Sequence, residues 1–276
     1  MVERCLMRYY ILNAELKDTC EFNPDLFTNT PSIYEVIRIE DGIPLFLQDH
    51  IERFYHSMVL SENLCNITEK QIRSRLKALI ETNRVQTGLL KFVSINHPEA
   101  GKLFAAWIAP FFFPSAKDYE LGITMMSYRG IRENPNAKTS HQKIREKSNR
   151  LIKYNSVHEV MLFNEQGIIS EGSRSNLFFI NGGILFTPHH SLVLKGVTRQ
   201  KIIDLALASG IDVVESAFRR NEISDFEALF ITGTTPKVLP VYNIDTVPFK
   251  VSHPVIQYLS EKYNNLIAKY VKNFSW

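Results

Sequence analysis

The stretch Gly167-Ile168-Ile169-Ser170-Glu171-Gly172-Ser173-Arg174-Ser175-Asn176-Leu177-Phe178-Phe179 ends one apolar run in a carboxylate and opens a second at Asn176. Between the two runs, Gly172 and the hydroxylated Ser173 and Ser175 permit a tight turn. Such a turn can hold a carboxylate in a partly buried place, where its charge needs a partner. Taken alone, Glu171 reads more readily as a turn residue than as a catalytic one.

Two downstream segments add to it. Leu194-Lys195-Gly196-Val197-Thr198-Arg199 precedes an apolar helical pattern, so the backbone N–H groups of Val197 and Thr198 fall at a helix N-terminus, a ready anion site. The plainer alternative is a threonine cap with Gly196 as a hinge. Ile231-Thr232-Gly233-Thr234-Thr235-Pro236 follows a strand-like run with hydroxyls and a glycine, again suited to an oxyanion. Neither loop matches a Walker A sequence or a dinucleotide fingerprint.

Upstream, the first third of the chain reads as strands followed by helices. Tyr9 to Leu12 and Ile33 to Ile39 are strand-like, and the turn Asp41-Gly42 leads into the apolar run Ile43 to Leu47, which predicts a hairpin. From Gln48 the period changes. Ile51, Phe54, Tyr55 and Met58 form a helical stripe, and Thr68 with Gln71 resembles a capping box ahead of Ile72, Leu76, Leu79 and Ile80. Strands near Leu89 to Ile95 and Leu103 to Phe112 complete a sheet. The polar stretch 114–118 then marks a boundary.

Beyond it, short runs at Ile123 to Met126, Val160 to Phe163, Leu177 to Ile180, Ile184 to Phe186, Val213 to Val214 and Leu229 to Ile231 predict a barrel-like sheet. Helices begin near Thr198 and after Pro254. The expected fold class is α+β in two domains. Residues 1–113 form an N-terminal α/β sandwich, and residues 119–276 a C-terminal barrel-like β domain with helices.

With 276 residues, 45% of them hydrophobic, the chain can bury a sizeable core. A net charge of +3 gives no electrostatic footprint for nucleic acid. Cys5, Cys20 and Cys65 are odd in number and lack metal-ligand spacing, which predicts neither a disulfide framework nor a metal site and suggests a reducing, cytoplasmic setting. The early acid at Glu3 and the lack of an initial apolar run predict no signal peptide. No apolar stretch reaches the ~20 residues of a membrane span.

In order and spacing, Ser-Glu-Gly-Ser-Arg-Ser-Asn from Ser170, Leu-Lys-Gly-Val-Thr-Arg from Leu194, and Thr-Gly-Thr-Thr-Pro-Lys-Val-Leu-Pro-Val from Thr232 resemble the signature of class IV aminotransferases and aminodeoxychorismate lyases. Asp41-Gly42, Phe46 and His50-x-x-Arg53 agree with that family's strand, turn and helix. The resemblance spans roughly residues 33 to 245. It implies the fold of type IV pyridoxal 5′-phosphate enzymes and that cofactor.

Lys138, after Asn134-Pro135-Asn136-Ala137, lies at the family's interval before Glu171 and is implied as the catalytic lysine, forming a Schiff base with the cofactor. Lys143 and Lys147 compete with it, but they sit in a charged run better read as a solvated helix face. Glu171 is implied at the pyridine nitrogen. Arg53, Val197, Thr198 and Thr234 are implied at the phosphate, and Tyr34 and Thr235 at the substrate. Lys91 stands where some members carry an arginine near the substrate.

The chain also departs from the family. Thr28-Asn29-Thr30-Pro31-Ser32 replaces a glycine-rich approach to the first strand, and Thr139-Ser140-His141-Gln142 follows the lysine, with His141 an unusual neighbour. The leading expectation is an aminotransferase acting between an amino acid and a 2-oxo acid, as a homodimer. The alternative is a lyase releasing pyruvate and 4-aminobenzoate from aminodeoxychorismate. A catalytically inactive cofactor-binding protein, or a weak RNA binder using Lys143 to Lys153, is the third reading. That run lacks the interleaved aromatics that single-stranded RNA needs.

Overall fold

The computed structural model describes residues 3–28, 30–62, 66–140 and 143–276. Asn29, Cys65, His141 and Gln142, which figure in the sequence reading, lie outside the described residues. Contacts divide the chain into two compact units. The first comprises Met1–Phe112, Ala137–His141 and Ile267–Trp276; the second comprises Phe113–Asn136 and Gln142–Leu266. Where the sequence suggests one cut at 114–118, the chain therefore returns to the first unit twice, at Ala137–His141 and from Ile267 onward.

The first unit contains β1 (Tyr9–Leu12), β2 (Glu15–Asp18), α1 (Asp25–Thr28), β3 (Ser32–Glu40), β4 (Ile43–Pro44), α2 (Leu47–Leu60), α3 (Glu69–Asn83), β5 (Gly88–His97) and β6 (Gly101–Ala109). Its antiparallel sheet runs β2-β1-β6-β5-β3-β4. Asp41 and Gly42, at φ of 50° and 76°, make the expected two-residue hairpin turn between β3 and β4. The second hairpin strand is short, because the chain turns into α2 at Leu47. The capping box at Thr68 is present, its hydroxyl receiving Gln71 N–H at 3.3 Å. β6 stops at Ala109, since Pro110 has no N–H to continue the ladder.

Ile51, Phe54 and Met58 of α2 and Ile72, Leu76 and Leu79 of α3 pack with Ile37, Leu90, Phe92 and Ala106 of the sheet to form the main core. The opposite sheet face carries a smaller cluster around Val93, Ala105 and Trp107.

The second unit contains α4 (Ala116–Leu121), β7 (Ile123–Arg129), α5 (Lys143–Asn155), β8 (Glu159–Phe163), β9 (Ile169–Gly172), β10 (Asn176–Asn181), β11 (Ile184–Pro188), α6 (Val197–Ala208), β12 (Val213–Ser216), β13 (Ala228–Gly233), β14 (Lys237–Ile244) and β15 (Val247–Pro248). Helix α7 (Pro254–Asn273) begins in this unit, and its residues from Ile267 belong to the first. The sheet runs β12-β11-β10-β13-β14-β7-β8-β9, with β15 on β14. The parallel pair β7 and β8 is crossed by α5 and the parallel pair β11 and β12 by α6, as parallel neighbours require. β9, at one end of the path, packs back on β10 and β11, so the sheet curls as a barrel-like sheet does.

The α+β architecture of the sequence reading is thus the observed one. No helix among the described residues is long and apolar enough to cross a membrane. Phe54 is fully buried, with its ring centroid 4.9 Å from that of Phe92. Phe54→Ala is therefore expected to lower unfolding free energy by about 3–5 kcal/mol, read from denaturant melts.

Candidate active site

In the first unit, period-2 alternation along β3 turns Ile33, Glu35, Ile37 and Ile39 into the core. Glu35 is completely buried there. A buried carboxylate needs charge and hydrogen bonds to offset its desolvation, and α2 supplies both. Arg53 Nε donates to Glu35 Oε1 at 2.8 Å and Arg53 Nη2 to Oε2 at 2.7 Å, while His50 Nδ1 lies 2.7 Å from Oε2. Burial pushes the Glu35 carboxyl upward, but the Arg53 charge and the bonds from Arg53 and His50 prevail and hold it at about 2. Burial lowers His50, Glu35 opposes that, and the positive Arg53 and Lys138 add to the lowering. The imidazole is thus neutral and donates from Nδ1.

One helical turn beyond Arg53, the buried Ser57 hydroxyl accepts the backbone N–H of Lys138 at 3.1 Å. The Lys138 carbonyl accepts Tyr34 N–H at 3.1 Å, Ile33 bridges Thr139, and Ser32 N–H donates to Ser140 Oγ at 2.9 Å. The segment that carries Lys138 is thereby laid along β3. The Lys138 amine lies 5.0 Å from the centre of the Tyr34 ring, and the Lys91 amine lies 5.1 Å from the same ring. Lys91 is ion-paired with Glu3 and also lies over the Trp107 ring. Lys138, Tyr34 and, through α2, Arg53 are thus parts of one framework.

In the second unit Glu171 is buried at the end of β9. Its Oε1 accepts from Arg132 Nη1 at 3.1 Å and its Oε2 from Leu194 N–H at 3.1 Å. Asn176 joins three segments here. Its Nδ2 donates to Leu194 O at 3.0 Å, its backbone is the register partner of Thr232, and its Oδ1 lies where a side chain at Gly196 would begin. A Cβ at Gly196 would fall 2.1 Å from that oxygen.

Gly196, and not Thr198, is the N-cap of α6, and it offers no side-chain cap. The N–H groups of Val197 and Thr198 therefore stand in the helix's first turn, where intrahelical acceptors are missing. Thr198 Oγ1 is 3.3 Å from Tyr263 Oη. Thr234 and Thr235 occupy the loop after β13, half-buried beside the buried Thr232, whose Oγ1 has no hydrogen-bond partner among the described residues.

An uncapped helix start suits a phosphate group, and an orphaned hydroxyl and two more threonines are donors of the same kind. No cluster of His, Cys, Asp or Glu suited to a metal occurs among the described residues. The sequence reading does not single out Glu35, Arg132 or the joining role of Asn176. Glu35 leaves a signal, an acid in phase with three core isoleucines; Arg132 leaves none.

The model of the family described as amino-transferase class IV matches residues 32–244. The chain is similar to a D-alanine aminotransferase of Bacillus licheniformis, 28% identical over 227 residues covering 77% of this chain and 78% of the relative. It is also similar to the branched-chain-amino-acid aminotransferase of Pseudomonas aeruginosa, 25% identical over 259 residues covering 86% and 84%. Among solved structures, the T.th. branched-chain amino acid aminotransferase with pyridoxamine 5′-phosphate superposes with a TM-score of 0.86 at 21% identity, covering 96% of each chain.

The buried pair makes stability depend on pH. Unfolded His50 takes up a proton below about 6.5, which the native ring resists, and unfolded Glu35 does so below 4.5, down to about 2. In both windows the unfolded state binds more protons, so the melting temperature is expected to fall steadily on acidification from pH 7. In His50→Asn the upper part of that fall shrinks. An unchanged profile in thermal melts would contradict the assignment.

Proposed function

The match across most of its length places the chain in the class IV aminotransferase family, and from that premise we propose that it is a pyridoxal 5′-phosphate-dependent aminotransferase moving an amino group between an amino acid and a 2-oxo acid. The observation that carries the reading is the way Lys138 is held, with its backbone N–H on Ser57 and its carbonyl on Tyr34. A side chain that must move a proton repeatedly between two positions benefits from a fixed Cα. When bound, the cofactor supplies a carbonyl that receives the amino group and a ring that takes up the electron pair left at the substrate Cα.

Lys138 would hold the cofactor covalently between turnovers. During turnover its amine would take the proton from the substrate Cα and deliver it to the cofactor carbon two bonds away, which requires that amine to be neutral. Glu171, fixed by Arg132 and Leu194 N–H, would face the ring nitrogen as its anionic partner. The N–H groups of Val197 and Thr198, the Thr234 hydroxyl and the Arg53 guanidinium would bind the phosphate. Tyr34 and Thr235 would line the substrate's place. The same reading takes the protein to be a cytoplasmic homodimer.

Borohydride reduction of the loaded protein is expected to leave a covalent adduct that maps to Lys138 and is absent in Lys138→Ala. An amino acid added without an acceptor should convert the cofactor's absorption to that of its amine form, and 2-oxoglutarate or a branched 2-oxo acid should reverse the change. If a broad amino-acid panel leaves the spectrum unchanged while aminodeoxychorismate yields pyruvate and 4-aminobenzoate, the protein is a lyase. Glu171→Gln nearly preserves shape and removes the charge. Cofactor should stay bound while kcat falls about a hundredfold or more, and unchanged turnover would remove Glu171 from the mechanism.

A further inference from the structure

Arg53 reaches its place already bound on one edge. Glu35 takes Nε and Nη2 together, at 2.8 and 2.7 Å, the two-pronged arrangement that fixes both the plane and the direction of a guanidinium. The carboxylate is itself fixed, because His50 Nδ1 meets Oε2 at 2.7 Å and the side chain is fully buried among core isoleucines. An arginine on a long, flexible stem loses rotamer freedom when it binds an anion, and here that freedom is removed before any ligand arrives.

The arrangement has an opposing electrostatic effect. The negative charge of Glu35 lies against the same guanidinium and weakens its pull on a second anion. A buried acid in this place, on the core face of a strand where isoleucine occupies the other positions, is therefore a liability to phosphate binding unless its geometric effect is the larger one.

We propose that Glu35 is a positioning residue, whose two-pronged grip on Arg53, braced by His50, presents the arginine to the cofactor phosphate. The inference rests on the reading of Arg53 as a phosphate ligand given above. It assigns the acid a role that only a phosphate-bearing ligand can report.

The test compares two ligands on the full-length chain stripped of cofactor: pyridoxal 5′-phosphate and pyridoxal, which is the same ring without the phosphate. Both are titrated by absorbance into the wild type, Glu35→Gln and Glu35→Asp, with thermal melts run alongside. The measure is the ratio of the two affinities, which isolates what the phosphate contributes. In Glu35→Gln the carboxylate's charged grip is lost, and the ratio is expected to fall about tenfold, as loss of an oriented charge-assisted contact does. In Glu35→Asp the charge remains but is drawn back by one methylene, and the ratio should fall less. A general loosening of the fold would weaken both ligands and leave the ratio alone.

An unchanged ratio in a variant that melts cooperatively overturns the proposal. So does a raised ratio, which would make Glu35 only a damper of the Arg53 charge. So does failure of both variants to fold, which would make its role structural. A wild type that binds no pyridoxal 5′-phosphate sinks the functional reading and this inference together, whereas a wild type that binds it normally beside unaltered variants sinks this inference alone.

Discussion

The carboxylate of Glu35, fully buried on β3, is the constraint around which the first unit is arranged. Its desolvation is tolerable only if α2 lies across the strand at the rotation that brings His50 and Arg53, three residues apart, onto the same side. That rotation leaves little else to choose. Residues 54, 57 and 58 then face inward as well, so Phe54 and Met58 enter the core while Ser57 carries a hydroxyl into it. The hydroxyl is satisfied by the Lys138 N–H, and the segment from Lys138 to Ser140 is thereby set along the edge of β3. One ion pair thus sets the helix, and the helix helps set the lysine segment.

The second unit solves a similar problem by different means. Among the described residues its buried carboxylates are Glu159 and Glu171. Glu171 has a cation, Arg132, on one oxygen and a backbone N–H on the other. Glu159 is met by the hydroxyls of Ser173 and Ser175, at 2.5 and 3.2 Å, and by Val160 N–H at 2.9 Å. Those serines belong to the turn that follows Glu171, so Glu159 holds the turn and the turn holds the end of β9. Gly172 allows the approach, because a Cβ there would lie 2.2 Å from Ser175 Oγ. Each residue type in Ser-Glu-Gly-Ser-Arg-Ser-Asn that reads as turn chemistry therefore answers to a buried contact, and Arg174 donates to Asn149 at an exposed place.

What can be read from the sequence, and what cannot, follows the range of the forces involved. The Asp41-Gly42 hairpin, the Thr68 capping box and the stripes of α2 and α3 are set by residues within a turn or two of one another, and they stand where periodicity puts them. β14 is absent from the sequence reading, and it contains Pro240, which cannot donate to a ladder. The structure accommodates it beside a shift of register between Val241 and Asn243 on the β7 edge. Helix α6 begins at Val197, beside the Thr198 near which the sequence reading starts it, but the reason its N-cap is a glycine is not local: Asn176, distant in sequence, holds Leu194 and leaves no room for a side chain at Gly196. The return of residues 138–140 to the first unit depends on Ser32, Ile33, Tyr34 and Ser57, far away in sequence, and no local pattern announces such a contact. Glu35 is legible in principle, since strand phase alone puts it among Ile33, Ile37 and Ile39, but its partners are not.

The three candidate lysines differ more in how their backbone is held than in their side chains. Lys143 and Lys147 are exposed on α5, and the Lys147 amine lies 5.0 Å from the centre of the Tyr128 ring. Both stand within their own helix, where an exposed lysine side chain has many rotamers open to it. Lys138 is different. Its N–H and its carbonyl are both spent on other segments, Ser57 and Tyr34, and the Tyr34 ring lies under its amine. Tyr34 is therefore bound to the lysine twice, through its backbone and through its ring, and a shift of β3 by one residue would break both contacts at once. That coupling is also why Glu35, the next residue along β3, has consequences for the lysine without touching it. The acid keeps the strand and α2 in register, and the lysine segment is fastened to both.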